Sequence, residues 1–254
     1  MIPRVRPSVP ATAAILYVLL TVAVLAGWLR AVDRAGADAF RAFGAAHPAL
    51  IDTVTILTDA AETIPFLVAG LTLGAILRVR RKHAAGHLVW SVTALIPILW
   101  SLFHLLLPHA RPPDGFVQVA SYGFPSGHTA NAAAAALVAI LLLAPPGFSP
   151  AALPGALPGV SPGVSPFLSG GSSVSPGHRP SVTGHHAHRS RRAVVWTLAI
   201  AFALVIGLTR VVLLAHYPSQ VLGGFLLAAA VVPALANLVA RLHARAARRA
   251  AAVG

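Results

Sequence analysis

Apolar residues along this chain come in long unbroken runs rather than in an alternation of period two. Six runs stand out, at residues 11–28, 64–79, 88–107, 126–144, 193–215 and 221–240. Each is close to the ~20 residues a helix needs to cross a bilayer. Backbone polar groups facing hydrocarbon must find internal partners, and these runs lack the alternation of a barrel strand. The pattern therefore predicts an all-α, polytopic bundle of six transmembrane helices. The second run is the shortest, and its helix can begin earlier, near Val54, with Asp59 and Glu62 inside it or at its mouth. Pro97 is placed to kink the third. Gly70-x3-Gly74 has the spacing of a close helix contact, but in a chain this rich in small residues chance recurrence is the simpler explanation.

Composition agrees and removes the main competitor. Hydrophobic residues make up 57% of the chain and charged ones only 10%, which excludes an ordinary soluble globule. Residues 1–254 read as a single membrane-embedded domain. The net charge of +13 would suggest nucleic acid in a soluble protein, yet here the basic residues sit at the ends of the apolar runs, where they orient the chain. No nucleic-acid partner is implied.

With the N-terminus in the cytoplasm, Arg78, Arg80, Arg81 and Lys82, then Arg179, Arg189, Arg191 and Arg192, then Arg241, Arg245, Arg248 and Arg249 all fall inside. All six acidic residues, Asp33, Asp38, Asp52, Asp59, Glu62 and Asp114, fall on or near the outer side. A signal peptide is the alternative for the first run, but its apolar core exceeds the usual ~7 to 15 residues, so an uncleaved first helix is expected. The chain has no Cys, which excludes disulfides and thiolate metal sites.

Residues 145–192 are rich in Pro, Gly, Ser and His, and are expected to form a disordered cytoplasmic loop. Their His178, His185, His186 and His188 read as part of a solvated basic tract rather than a metal site. Residues 241–254 read as a basic cytoplasmic tail facing anionic headgroups.

Ionisable residues at membrane depth are costly, so Arg and His beside a span need a reason. Three strings on the outer side qualify: His104 to Pro112 at the end of the third run, Phe124-Pro125-Ser126-Gly127-His128 at the start of the fourth, and Thr209-Arg210 followed by His216-Tyr217-Pro218-Ser219-Gln220. Together they suit a phosphoryl group. Pro-Ser-Gly reads as a helix start, where Ser126 can cap and Gly127 lets backbone N–H groups approach an anion. Arg111 and Arg210 offer forked donors to equatorial oxygens, and histidines supply a nucleophile and a proton donor. Few carboxylates are available to chelate Mg2+, which favours a metal-independent route with no cofactor.

In these strings the chain resembles the type 2 phosphatidic acid phosphatase (PAP2) superfamily, membrane lipid-phosphate phosphatases related to vanadium haloperoxidases. That family's pattern is Lys-x6-Arg-Pro, then Pro-Ser-Gly-His, then Ser-Arg-x5-His-x3-Asp. Arg111-Pro112, Pro125 to His128, Arg210 and His216 match it, and Thr209 stands for Ser. His104 replaces the lysine, and Gln220 replaces the aspartate, as in the dolichyl-diphosphatase and glucose-6-phosphatase branches.

The resemblance implies a PAP2 and vanadium-haloperoxidase-like bundle. It also implies that His216 attacks phosphorus to give a phosphohistidine and that His128 protonates the leaving oxygen. Arg111, Arg210, His104, Ser126 and the Gly127 backbone would hold the oxygens, and Gln220 would orient His216. His109 is taken as interfacial. The expected substrate is a lipid phosphate or polyprenyl diphosphate, met at the extracytoplasmic face of the cell membrane. The alternative is a degenerate protein that binds lipid phosphate without hydrolysing it. Oligomeric state has no signature.

Overall fold

The computed structural model describes residues 2–117, 119, 121–143 and 183–252, with side chains from 193 onward in the last stretch. Regular structure among them is entirely helical: α1 Ser8–Leu25, α2 Arg30–Ala46, α3 Pro48–Asp59, α4 Thr63–Val79, α5 His83–Leu106, α6 Gly127–Leu143, α7 Thr183–Val212 and α8 Pro218–Ala251. Five stretches are long and apolar enough to cross a bilayer, with Pro48–Val79 counted as one, and α6 is a shorter apolar helix.

Helix α6 is the hub. It packs on α5, α7 and α8, while α1 lies along α8 and α4 along α5. Small side chains at Ala130, Ala132, Ala133, Ala134 and Ala136 are buried, which lets three neighbours approach its backbone closely. Large apolar side chains such as Ile15, Val18 and Leu19 on α1 and Leu198 and Leu204 on α7 point outward, as they should in a lipid solvent.

The Gly70 and Gly74 pair turns out to be structural. A Cβ at either would fall on Thr93 or Trp90, so the two glycines are what lets α5 lie against α4, and the chance reading is corrected. Pro97 sits inside α5 without ending it.

Two helices have no counterpart among the six runs. Helix α2 is amphipathic and buries Asp33, Ala37 and Gly44 along one face, too polar to cross a membrane yet suited to lie on the end of the bundle. Helix α3 is separated from α4 by a short break at residues 60–62, so the expected early start of the second span is observed as a broken helix.

The segment 145–192 differs in part from expectation: residues 183–192 already belong to α7, while 145–182 lie outside the described residues. The basic tail is likewise no separate segment as far as residue 251, because α8 continues through it.

The two ends of the bundle are chemically distinct. At one, the N-terminal segment is latched to α8 through reciprocal amide bonds of 2.9 Å between Val5 and Asn237, near Arg81, Lys82 and His243. At the other lie α2, the 107–126 connection and the turn between α7 and α8, joined by bonds from Arg41 to the Pro113 carbonyl and from Ser219 to Asp33.

Candidate active site

The turn between α7 and α8 places two of the expected residues. The carbonyl of Arg210 accepts N–H bonds from both Ala215 at 3.0 Å and His216 at 3.1 Å, and Leu214 takes a positive φ of 52° to close the loop. Helix α8 then starts at once. Asp33 of α2 anchors that start, accepting from the Ser219 N–H at 3.0 Å and the Ser219 hydroxyl at 2.6 Å. A carboxylate at a helix N-terminus is favoured by the orphan N–H groups and the dipole.

The 107–126 connection wraps over this turn. Gly223 and Gly224 leave room for it: a Cβ on Gly224 would fall 2.6 Å from the Ser126 carbonyl oxygen, and one on Gly223 would enter the Phe124 ring. Phe124 is itself held by the Tyr17 ring, 5.8 Å away in a stacked arrangement. Arg111 stitches the connection together. Its Nε donates to the Ser121 carbonyl at 2.7 Å, and one terminal nitrogen to the Ser121 hydroxyl and Tyr122 carbonyl. The other terminal nitrogen donates to the Ala215 carbonyl and to His216 Nε2, both at 2.7 Å.

The tautomer of His216 follows from its surroundings. The Gln220 amide is fixed by backbone partners, since its oxygen accepts the Tyr217 N–H at 3.1 Å and its nitrogen donates to the Ala110 carbonyl at 2.7 Å. The amide oxygen therefore accepts from His216 Nδ1 at 3.1 Å, and the Gly123 carbonyl accepts from it at 2.8 Å. With the proton on Nδ1, Nε2 carries a lone pair, which takes the Arg111 hydrogen. Burial first, and then the charges of Arg111 and Arg210, hold the His216 imidazole well below its ordinary range, so it is neutral. Burial, followed by the Arg210 charge, lowers Arg111 to about 10, which leaves it cationic at neutral pH.

A cavity of about 360 Å³ opens over Nε2. Arg111, His128, Arg210, Gly127 and His104 line it with His216, so the structure brings together most of the residues expected from the sequence. Arg210 donates to Thr58 at 3.1 Å, while its Nε is buried with no hydrogen-bond partner among the described residues. A buried orphan donor on a cation is costly, and an anionic oxygen in the cavity would relieve it. Opposite, His128 Nε2 stands 3.9 Å from Glu62.

His104 and Ser126 are placed differently from the rest. His104 lines the cavity but spends Nε2 on the Pro125 carbonyl at 2.7 Å, bracing the start of α6. Ser126 is fully buried and does not line the cavity; its N–H bonds the Gln220 carbonyl and its hydroxyl accepts from Thr129 at 3.0 Å. Gly127 does line it, and Trp100 lies where a Cβ on that glycine would reach.

Thr55, Thr58, Asp59, Glu62 and Thr63 form a wall that reading the motifs did not supply. They sit on the broken helix α3–α4, held to α6 by Asn131, which donates to the Ala61 carbonyl at 3.2 Å. The sequence signal was the pair Asp59 and Glu62 at the mouth of an apolar run.

A multi-pass helical membrane protein with two arginines and three histidines around one cavity is the class that fold and site define. The PAP2 superfamily profile matches residues 84–244, a stretch holding all eight expected site residues, and the chain belongs to that superfamily of phosphatases. Comparison with curated proteins gave no match. Among solved structures, the chain is similar to the first transmembrane PAP2-type phosphatidylglycerolphosphate phosphatase from Bacillus subtilis, with a TM-score of 0.66 and 21% identity over 93% of this chain and 96% of that one. That structural likeness covers more of the chain than the profile does, whose match begins after α4.

Proposed function

We propose that the protein hydrolyses a phosphate from a lipid phosphate or polyprenyl diphosphate through a phosphohistidine, without a metal, at the extracytoplasmic membrane face. The observation that carries this is the His216 Nε2 lone pair, held 2.7 Å from Arg111 in the cavity that Arg210 and His128 share. A bound phosphoryl oxygen takes over the Arg111 hydrogen and the orphan Arg210 Nε–H, which frees Nε2 to attack phosphorus. As the N–P bond forms, the bond to the leaving oxygen breaks and His128 gives that oxygen a proton. Water activated by the now neutral His128 then cleaves the N–P bond, releasing phosphate and regenerating His216. Gly127 contributes backbone N–H character at the start of α6, His104 braces that start, and Ser126 acts from beneath the cavity floor.

The outward orientation rests on charge: Arg80, Arg81, Lys82 and the α8 tail lie at the end of the bundle away from the site, where the positive-inside rule puts the cytoplasm. The candidate substrates are phosphatidate, phosphatidylglycerol phosphate, the class named for the Bacillus neighbour, and polyprenyl diphosphate. Phosphate release from such a panel by purified protein in EDTA tests the reading. Release that needs an added divalent ion would overturn the metal-free route. Binding without release by folded protein would favour the degenerate reading, for which the engagement of His104 with Pro125 is the structural motive.

A further inference from the structure

Behind the nucleophile, on the side away from the cavity, the hydrogen-bond chain does not stop at Gln220. The amide nitrogen of Gln220 also donates to Nδ1 of His109 at 2.8 Å, and Gln220 is completely buried. Since that nitrogen is a donor, its orientation being fixed by Ala110 and Tyr217, His109 Nδ1 is an acceptor and its proton resides on Nε2. The ring stands against a second cavity of about 290 Å³, lined by Arg30, Asp33 and Arg34 of α2 and by Tyr217. The chain reads, in order, His109, Gln220 amide, His216 Nδ1–H, Nε2 lone pair, substrate cavity.

Resting on the phosphatase reading above, we propose that His109 is a positioning residue for His216. Its neutral Nδ1 completes, with the Tyr217 N–H and the Ala110 carbonyl, the set of partners that the Gln220 amide satisfies in the orientation accepting from His216 Nδ1–H, and protonation of His109 disrupts that relay. The argument is one of satisfiability. A proton on His109 Nδ1 would face the Gln220 NH2 group, donor to donor. Rotating the amide to relieve this would oppose its nitrogen to the Tyr217 N–H and to His216 Nδ1–H, and its oxygen to the Ala110 carbonyl. No orientation of the amide satisfies every partner once His109 is charged.

The groups facing His109 are Arg30, Arg34 and Asp33 on α2, and Tyr217 and Gln220 at the start of α8. Burial lowers the His109 imidazole below its ordinary range, with Asp33 and the Ala110 carbonyl opposing and Arg30 assisting, which favours the neutral form the relay needs. The device suits a chain that holds its nucleophile with an amide: Gln220 satisfies all its partners in one orientation, and His109 is the partner, besides His216 itself, that can titrate.

The test has two arms. In the first, ring 15N signals of histidine-labelled wild-type protein are followed across pH, with His216 and His109 assigned through His216→Asn and His109→Asn. The His216 Nδ1–H tautomer should be perturbed over the same pH range in which His109 takes up its proton. Independent titration of the two rings would overturn the proposal. This arm needs no turnover, so it decides the matter even if the protein releases no phosphate and the functional reading fails.

In the second arm, His109→Asn offers an acceptor oxygen near the Nδ1 position and cannot titrate. It should keep kcat within about threefold of wild type while losing the acid-side decline assigned to His109. His109→Leu removes the acceptor and should lower kcat about tenfold with KM within about twofold, the loss expected for one positioning hydrogen bond. A folded Leu variant with wild-type kcat, or an Asn variant with an unchanged acid limb, would sink the idea.

Discussion

The carbonyl oxygen of Arg210 accepts the backbone N–H of His216, so the guanidinium and the imidazole that share the cavity belong to one closed turn. The five intervening residues are the length of that turn, with Leu213 and Leu214 fully buried beneath it. An arginine and a histidine held this way keep their separation without help from a ligand, which is preorganisation of charge and nucleophile together.

His216→Ala removes the lone pair and neither arginine. Turnover should fall by on the order of 10³-fold or more, while binding of a phosphate lipid persists. Acid quench of the wild type with 32P-labelled substrate should trap an acid-labile, base-stable adduct that the variant lacks. Near-wild-type turnover in a clean variant preparation would remove His216 from its assigned role.

Asp33 holds the start of α8 through charge-assisted bonds to the Ser219 N–H and hydroxyl, and it is almost wholly buried. Asp33→Ala should cost about 1 to 3 kcal/mol, since it leaves the Ser219 donors unmet, and should reduce turnover by loosening His216 and Gln220. Denaturation in detergent and phosphate release on the same preparation give both numbers. An unchanged protein on both counts would mean that α2 does not position the site.

That dependence on α2 was not legible in the sequence, and the reason is physical. Long apolar runs announce membrane helices because lipid leaves the backbone no other choice, and the spaced Arg, His and Pro-Ser-Gly-His strings announce the cavity. Helix α2 is amphipathic and rests on the end of the bundle, so Arg30, Arg34 and Arg41 lower its apolar content below that of any spanning run. Asp33, Ala37 and Gly44 on one face were the available signal. His109 looked interfacial because a lone histidine before a proline-rich turn carries no motif; only the fold brings it 2.8 Å from the Gln220 amide. The Gly70 and Gly74 spacing was visible but uninformative until Thr93 and Trp90 were seen against it.

Orientation is tested by single cysteines in a chain that has none. Asp38 on α2 is largely exposed at the site end, and Arg248 is exposed near the far end of α8. An impermeant thiol reagent on intact cells should label Asp38→Cys and spare Arg248→Cys until the membrane is opened. The reverse pattern would move the site to the cytoplasmic face.

One buried imidazole, His216, and one half-buried, His109, give stability a defined pH dependence. Burial is the first cause that lowers both His216 and His109, and neighbouring arginines add to it. In the unfolded chain each titrates near the ordinary histidine value of about 6.5. Below that pH the unfolded state binds protons that the folded state refuses, so the unfolding free energy falls as pH falls. The contribution is complete above about 6.5 and is lost progressively as the pH drops towards the depressed folded values. The apparent Tm in detergent should therefore decline between about pH 7 and pH 5. His216→Asn removes one of the two groups and should show a shallower decline, whatever its Tm at neutral pH, because the other histidines contribute alike to both proteins. Equal slopes in the two proteins would mean that His216 accepts its proton inside the fold, and a lone pair available for attack on phosphorus would then be lost in the same pH range.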